Sequence, residues 1–147
     1  MPLVDALRLD QQFAEQQRPI ESDANQVLFR RARALAPKDQ LLIELAYQKN
    51  LSVRQIARIL DRPAGSISRK MNRLCARLRD PLVAALLEPG CVLAPEYRQI
   101  AIEYFAQKRE IRELARQREM TPTQIRAVLN FVRGWYRGVY RPADAAK

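Results

Sequence analysis

Apolar residues recur along this chain at spacings of three and four, and prolines and small polar residues interrupt that rhythm at regular places. From Leu3 to Gln17, Val4, Leu7, Phe13 and Ala14 keep a rough helical period that Pro19 ends. A second helix is expected from Ser22 to Ala34, capped by Ser22 or Asp23, with Val27, Leu28, Ala32 and Leu35 inward. Pro37 suits the first turn of a third, which reaches about Lys49 and turns Leu41, Leu42, Leu45, Ala46 and Tyr47 to the core. Ser52 can cap the next, whose apolar face is Val53, Ile56, Ala57 and Leu60. Asp61 to Pro63 break the pattern, and a helix from Ala64 to Arg79 buries Ile67, Met71, Leu74 and Leu78. Asp80 and Pro81 then start a short apolar helix that Pro89 and Gly90 end.

The second half repeats this layout. With Leu93 placed under Leu35 and the chain read without a gap to Arg137 under Arg79, every position has a counterpart 58 residues later. Leu93-Ala94-Pro95 repeats Leu35-Ala36-Pro37; Arg112, Ala115, Arg116, Ile125, Asn130 and Arg137 fall under identical residues. Leu114 and Leu129 replace Ile56 and Met71. Identity is low but the apolar skeleton is kept, so internal duplication is the preferred account over chance likeness between amphipathic helix pairs. Thr121-Pro122-Thr123-Gln124 joins a cap, a first-turn proline and a capping-box glutamine at the start of the last helix.

Charge adds a partner class. The chain has 26 basic and 16 acidic residues in 147, a formal net charge of +10, which points to nucleic acid, an anionic membrane surface or an acidic protein. From Ala34 to Arg79 ten bases face three acids, and from Ala64 to Arg79 there is no acid at all. A solvated helix normally mixes both signs, so the outer face of 64–79 suits an anion. No histidine is present, which excludes histidine acid–base chemistry, histidine zinc sites and serine–histidine triads. Cys75 and Cys91 lack metal or redox spacing, and neither a secretory signal nor an apolar run of membrane length is visible. No cofactor, no metal, no membrane association and no enzymatic activity are expected, and the setting expected is cytoplasmic and nucleoid-associated.

The stretch from Leu51 to Arg79 resembles the helix-turn-helix of region four of bacterial sigma factors and, more loosely, that of LuxR-type regulators. The likeness rests on Leu51-Ser52, Ile56-Ala57, Gly65-Ser66-Ile67, Arg73 and Leu78-Arg79, which follow one another without a gap. Asp61 stands where that pattern has glycine, and Pro63 where it has serine. The fold expected is all-α: an N-terminal helical extension (1–34), a first three-helix helix-turn-helix unit (35–79), a short helical connector (80–92), a second such unit in tandem (93–140) and a tail (141–147).

The resemblance implies a sequence-specific regulator of transcription that places helix 64–79, and a second at 121–137, in the major groove of double-stranded DNA. Ser66, Ser68, Arg69, Asn72 and Arg73 are the candidate base readers of the first unit, with Thr123, Gln124, Arg126 and Asn130 in the second. Arg54, Lys70, Arg77, Arg112 and Arg133 are the candidate phosphate contacts. The second reading helix has three bases against five in the first, and its scaffold helix carries Glu110, Glu113 and Glu119, so an alternative gives the second unit weaker DNA affinity or a protein contact, with RNA polymerase as partner. Homodimerisation is expected either through the N-terminal helix or through the aromatic residues Trp135, Tyr136 and Tyr140.

Overall fold

A computed structural model describes residues 23–140, and among them the chain is helical with no strand. The segment 1–22, with the first expected helix and its role in dimerisation, and the tail 141–147 lie outside the described residues. The chain divides into two compact units, Met1–Leu78 and Arg79–Lys147.

In the first unit α1 (Asp23–Arg31) ends in a 3₁₀ turn over Ala32–Ala34. Then α2 (Pro37–Ile43) begins on its proline and widens into a π-type turn over Glu44–Gln48. Two further helices follow, α3 (Val53–Leu60) and α4 (Ala64–Arg79). The stripes expected from periodicity meet in one core, where Ile43, Val53, Ile56, Ile67, Met71, Leu74 and Leu78 are almost fully buried. Tyr47 is buried too, and its hydroxyl lies 3.6 Å from the Cys75 thiol as a hydrogen-bond partner. Arg31 donates from Nη1 to the Leu78 carbonyl at 2.9 Å, filling one of the open acceptors at the end of α4.

Ser52 caps α3 as expected and does so reciprocally: its Oγ accepts from Gln55 N at 3.2 Å, and Gln55 Oε1 accepts from Ser52 N at 2.8 Å. At the other end Asp61 adopts φ 54° and ψ 52°, the left-handed conformation for which glycine is the usual choice. Aspartate tolerates that region better than most side chains, so the turn closes without the glycine of the family pattern. Arg62 N donates to Ala57 O at 2.9 Å, which closes α3 in the manner of a Schellman motif.

The second unit contains α5 (Pro81–Leu87), α6 (Pro95–Phe105), α7 (Ile111–Gln117) and α8 (Pro122–Tyr140). Asp80 caps α5, its Oδ1 accepting from Leu82 N at 2.8 Å and Val83 N at 3.4 Å. The helix buries Val83, Ala85 and Leu86 and packs on α6 and α8. Arg98 of α6 donates to the carbonyls of Leu86 (2.7 Å) and Glu88 (3.3 Å), so the end of α5 is closed by side-chain donors. Ile100, Leu114, Ile125, Leu129 and Val132 form the centre of this unit.

Local geometry recurs at the spacing found in the sequence. Among the described residues the positive-φ residues outside glycine are Asn50, Asp61, Lys108 and Glu119, two pairs each 58 apart. Arg62 N→Ala57 O has its counterpart in Met120 N→Ala115 O, both 2.9 Å. Lys49 N→Glu44 O is matched by Gln107 N→Ile102 O, both 3.1 Å, and Leu51 N→Leu45 O (3.1 Å) by Arg109 N→Glu103 O (3.0 Å).

One set of equivalent positions differs in chemistry. Leu45, Leu51 and Leu60 pack against the core of the first unit. Their counterparts are Glu103, Arg109 and Arg118, whose ion pairs are 3.6 Å (Arg109) and 2.7 Å (Arg118) around a Glu103 side chain only 12% exposed. Arg109 also donates to Gln117 Oε1 at 2.9 Å.

Candidate nucleic-acid interface

Helix α4 turns its apolar stripe inward and leaves Arg69, Asn72, Arg73 and Ala76 exposed. Its first turn is built from Ala64, Gly65 and Ser66, residues too small to hold a flat surface away from the backbone. A Cβ placed on Gly65 would lie 3.5 Å from Arg69 Nη1, so the guanidinium of Arg69 lies back over the start of the helix, as helical side chains point. Among the described residues neither Arg69 nor Arg73 has an ion-pair partner. The two are one turn apart and share a face with Asn72 between them.

The other cations of α4 are arranged differently. Asp39, buried at 9% exposure, accepts Lys70 Nζ at 3.3 Å and Arg77 Nη1 at 3.8 Å. Burial pushes the Arg77 pKa below its ordinary value, Asp39 pulls it back up, and the neighbouring Arg73 pushes it down again. Arginine stays charged regardless. The expectation that Lys70 and Arg77 are phosphate contacts therefore needs amending: Arg77 is held inward on α2, while Lys70, 37% exposed at its side chain, keeps surface for an anion. Ser68 is corrected outright as a base reader, because it is 6% exposed and lies on the buried side of the helix. Ser66 is half-buried.

Beside the turn, an open cleft of about 560 Å³ is lined by Arg54, Arg58, Arg62, Asp61 and Pro63, among others. Arg54 and Arg58 lie one turn apart on α3 and Arg62 follows in the turn, so all three line the cleft next to the start of α4. Arg58 and Arg62 were not among the expected contacts, although their spacing of four and eight from Arg54 is the signal that would have found them.

In the second unit Thr123, Gln124, Arg126 and Asn130 are all exposed on α8, and Arg112 is exposed on α7. Gln124 forms the expected capping box with Thr121: Oε1 accepts from Thr121 N at 2.8 Å and Gln124 N donates to Thr121 Oγ1 at 3.1 Å. Its carbonyl is thereby used by the helix start, which amends its expected role as a base reader. Asn130 Oδ1 accepts from Arg133 Nη1 at 3.2 Å, and Arg133 lies 5.3 Å over the Phe105 ring, so Arg133 is half-buried in local contacts. The places of Arg69 and Arg73 are taken here by Ala127 and Phe131. Phe131 was missed as a surface residue because the apolar period passes through it.

Trp135 and Tyr136 are half-buried, and the Tyr140 side chain lies outside the description. Ring contacts also run from Tyr97 to Phe131 and from Tyr104 to Phe105. Among the described residues no helix is long and apolar enough to cross a membrane, and no three histidine, cysteine or acidic residues gather as a metal site.

Residues 31–74, from the end of α1 into α4, match the sequence model of a helix-turn-helix domain family. The match supports a helix-turn-helix motif of the DNA-binding kind in these residues. No curated protein and no solved structure matches it.

Proposed function

We propose that this protein is a bacterial transcriptional regulator that binds specific sequences in double-stranded DNA, with α4 in the major groove. The observation that carries this reading is the outward face of α4, where Arg69 and Arg73 stand unpaired around Asn72 on a helix without an acid. Arginine can form two hydrogen bonds with guanine, and asparagine with adenine. Arg54, Arg58, Arg62 and Lys70 border that face and neutralise phosphates, while Asp39 fixes the angle of α4 through Lys70 and Arg77. The region-four-like character is part of the proposal and is supported by Asp61, which takes the left-handed turn where that pattern has glycine.

Tandem duplication belongs to the same reading. It is supported by the 58-residue recurrence of left-handed residues and of turn hydrogen bonds, features set by backbone geometry and not by amphipathic composition. The target is then a site with two sub-elements, each engaged by one unit, and binding of one raises the local concentration of the other. Selection of bound fragments from random duplexes tests this: enrichment of a defined sequence that Arg69→Ala or Arg73→Ala abolishes or relaxes at one position is expected. Retention of unrelated sequences with equal affinity would defeat it.

A second reading gives the second unit a protein contact, with RNA polymerase as partner. The exposed Phe131 in place of Arg73 favours it. Co-purification with polymerase that Phe131→Ala removes, without any shift of duplex DNA, is its expected outcome.

A further inference from the structure

Ala127 and Phe131 lie one turn apart on the outward face of α8, at the places where α4 presents Arg69 and Arg73. Phe131 is 58% exposed. The ring meets Tyr97 of α6 edge to face, with centroids 5.3 Å apart and planes at 82°. Around this apolar pair the outward positions are small or polar, Thr123, Asn130 and Gly134. No aspartate or glutamate occurs from Pro122 to Tyr140, whereas Arg126 and Arg137 are exposed on the same helix.

The exposed acids nearby, Glu110, Glu113 and Glu119, lie on α7 and its flanking turns, so α8 itself, acid-free with Arg126 and Arg137 exposed, is the element suited to approach a polyanion. The centre of this face is nonetheless apolar, so its complement within an anionic partner must be an apolar group. Among the base edges of the major groove, the C5 methyl of thymine is that group, and alanine and phenylalanine are side chains that meet it.

We propose that Ala127 and Phe131 read thymine methyl groups, so that the second unit selects an A·T-rich element while Arg69 and Arg73 of the first select guanine. This rests on the DNA-binding reading above and assigns the sequence class of its second sub-element.

The test uses the full chain and a duplex selected by it from a random pool, rebuilt with deoxyuridine for thymine within the A·T element. Deoxyuridine keeps the hydrogen-bonding edge and lacks the methyl. Affinity should fall about fourfold for each contacted methyl removed, the worth of one buried methylene-sized group. Phe131→Ala should cause a similar loss on the thymine duplex and almost none beyond it on the deoxyuridine duplex. Phe131→Leu, which keeps an apolar side chain, should retain most of the sensitivity to deoxyuridine.

Equal binding of the two duplexes, or equal loss from Phe131→Ala on both, overturns the proposal while leaving Arg69-dependent DNA binding intact. So does a Phe131→Ala protein that binds both duplexes as the parent does but loses self-association or polymerase. Enrichment of no duplex at all overturns the DNA-binding reading itself, and this proposal with it.

Discussion

Asp61 shows how one residue can serve fold and site together. It holds a left-handed conformation at the end of α3 and is the only acid among the described residues lining the cleft of Arg54, Arg58 and Arg62. Asp61→Gly should raise stability by about 0.5–1 kcal/mol, the relief of left-handed strain less the chain entropy of glycine, read by denaturant unfolding. The same change should tighten binding to duplex DNA if the cleft takes phosphates as proposed, because an acid leaves its lining. Glu119→Gly, at the matching turn, should gain more, since glutamate lacks the short side chain that eases aspartate into this region. On α4, Arg69→Ala and Arg73→Ala are each expected to weaken binding by about 1–3 kcal/mol if they read bases. Much of this face could be read from the sequence, because cations between apolar positions of known period must point outward. Ser68 and Asp39 could not: Ser68 sits next to the stripe at Ile67, where a small rotation of the helix decides burial, and an acid two residues after a helix-starting proline looks like first-turn decoration until its partners are placed.

At the scale of the helix, most starts were legible because each has local chemistry of its own: Pro37, Ser52, Asp80 and Thr121-Pro122 all occupy the helix beginnings expected of them. Ser52→Ala should remove the capping box and cost about 1 kcal/mol. The widening of α2 over Glu44–Gln48 was not legible, since the consecutive apolar residues Leu45, Ala46 and Tyr47 suit an α-type or a π-type turn alike. Nor was the exchange of Leu45, Leu51 and Leu60 for Glu103, Arg109 and Arg118, which in aligned sequence is a set of mismatches and in space one unit of packing. Glu103→Ala should cost about 2–3 kcal/mol, below the full range for a buried pair because Arg109 and Arg118 remain partly exposed. Replacing all three by leucine, as in the first unit, should leave stability unchanged or raise it by about 1–4 kcal/mol. Thermal unfolding of the single and triple variants separates these outcomes.

Over the whole molecule, the charge of +10 and its concentration on α3 and α4 set how binding responds to salt. If about six phosphates are neutralised, affinity should fall by about a thousandfold between 50 and 200 mM salt. Arg58→Ala and Arg62→Ala should each reduce the slope of log affinity against log salt by about one, with little change in sequence preference. The two thiols give access to a different property of the chain. Cys75 is 5% exposed and hydrogen-bonded to Tyr47, whereas Cys91 is half-buried at a turn. An alkylating reagent should therefore mark Cys91 promptly and reach Cys75 only when the interior around Met71 and Leu74 briefly comes apart. The slower reaction is an intrinsic clock for that opening, needing no label or engineered probe, and a ligand gripping only the closed form would slow its ticking in proportion to its affinity.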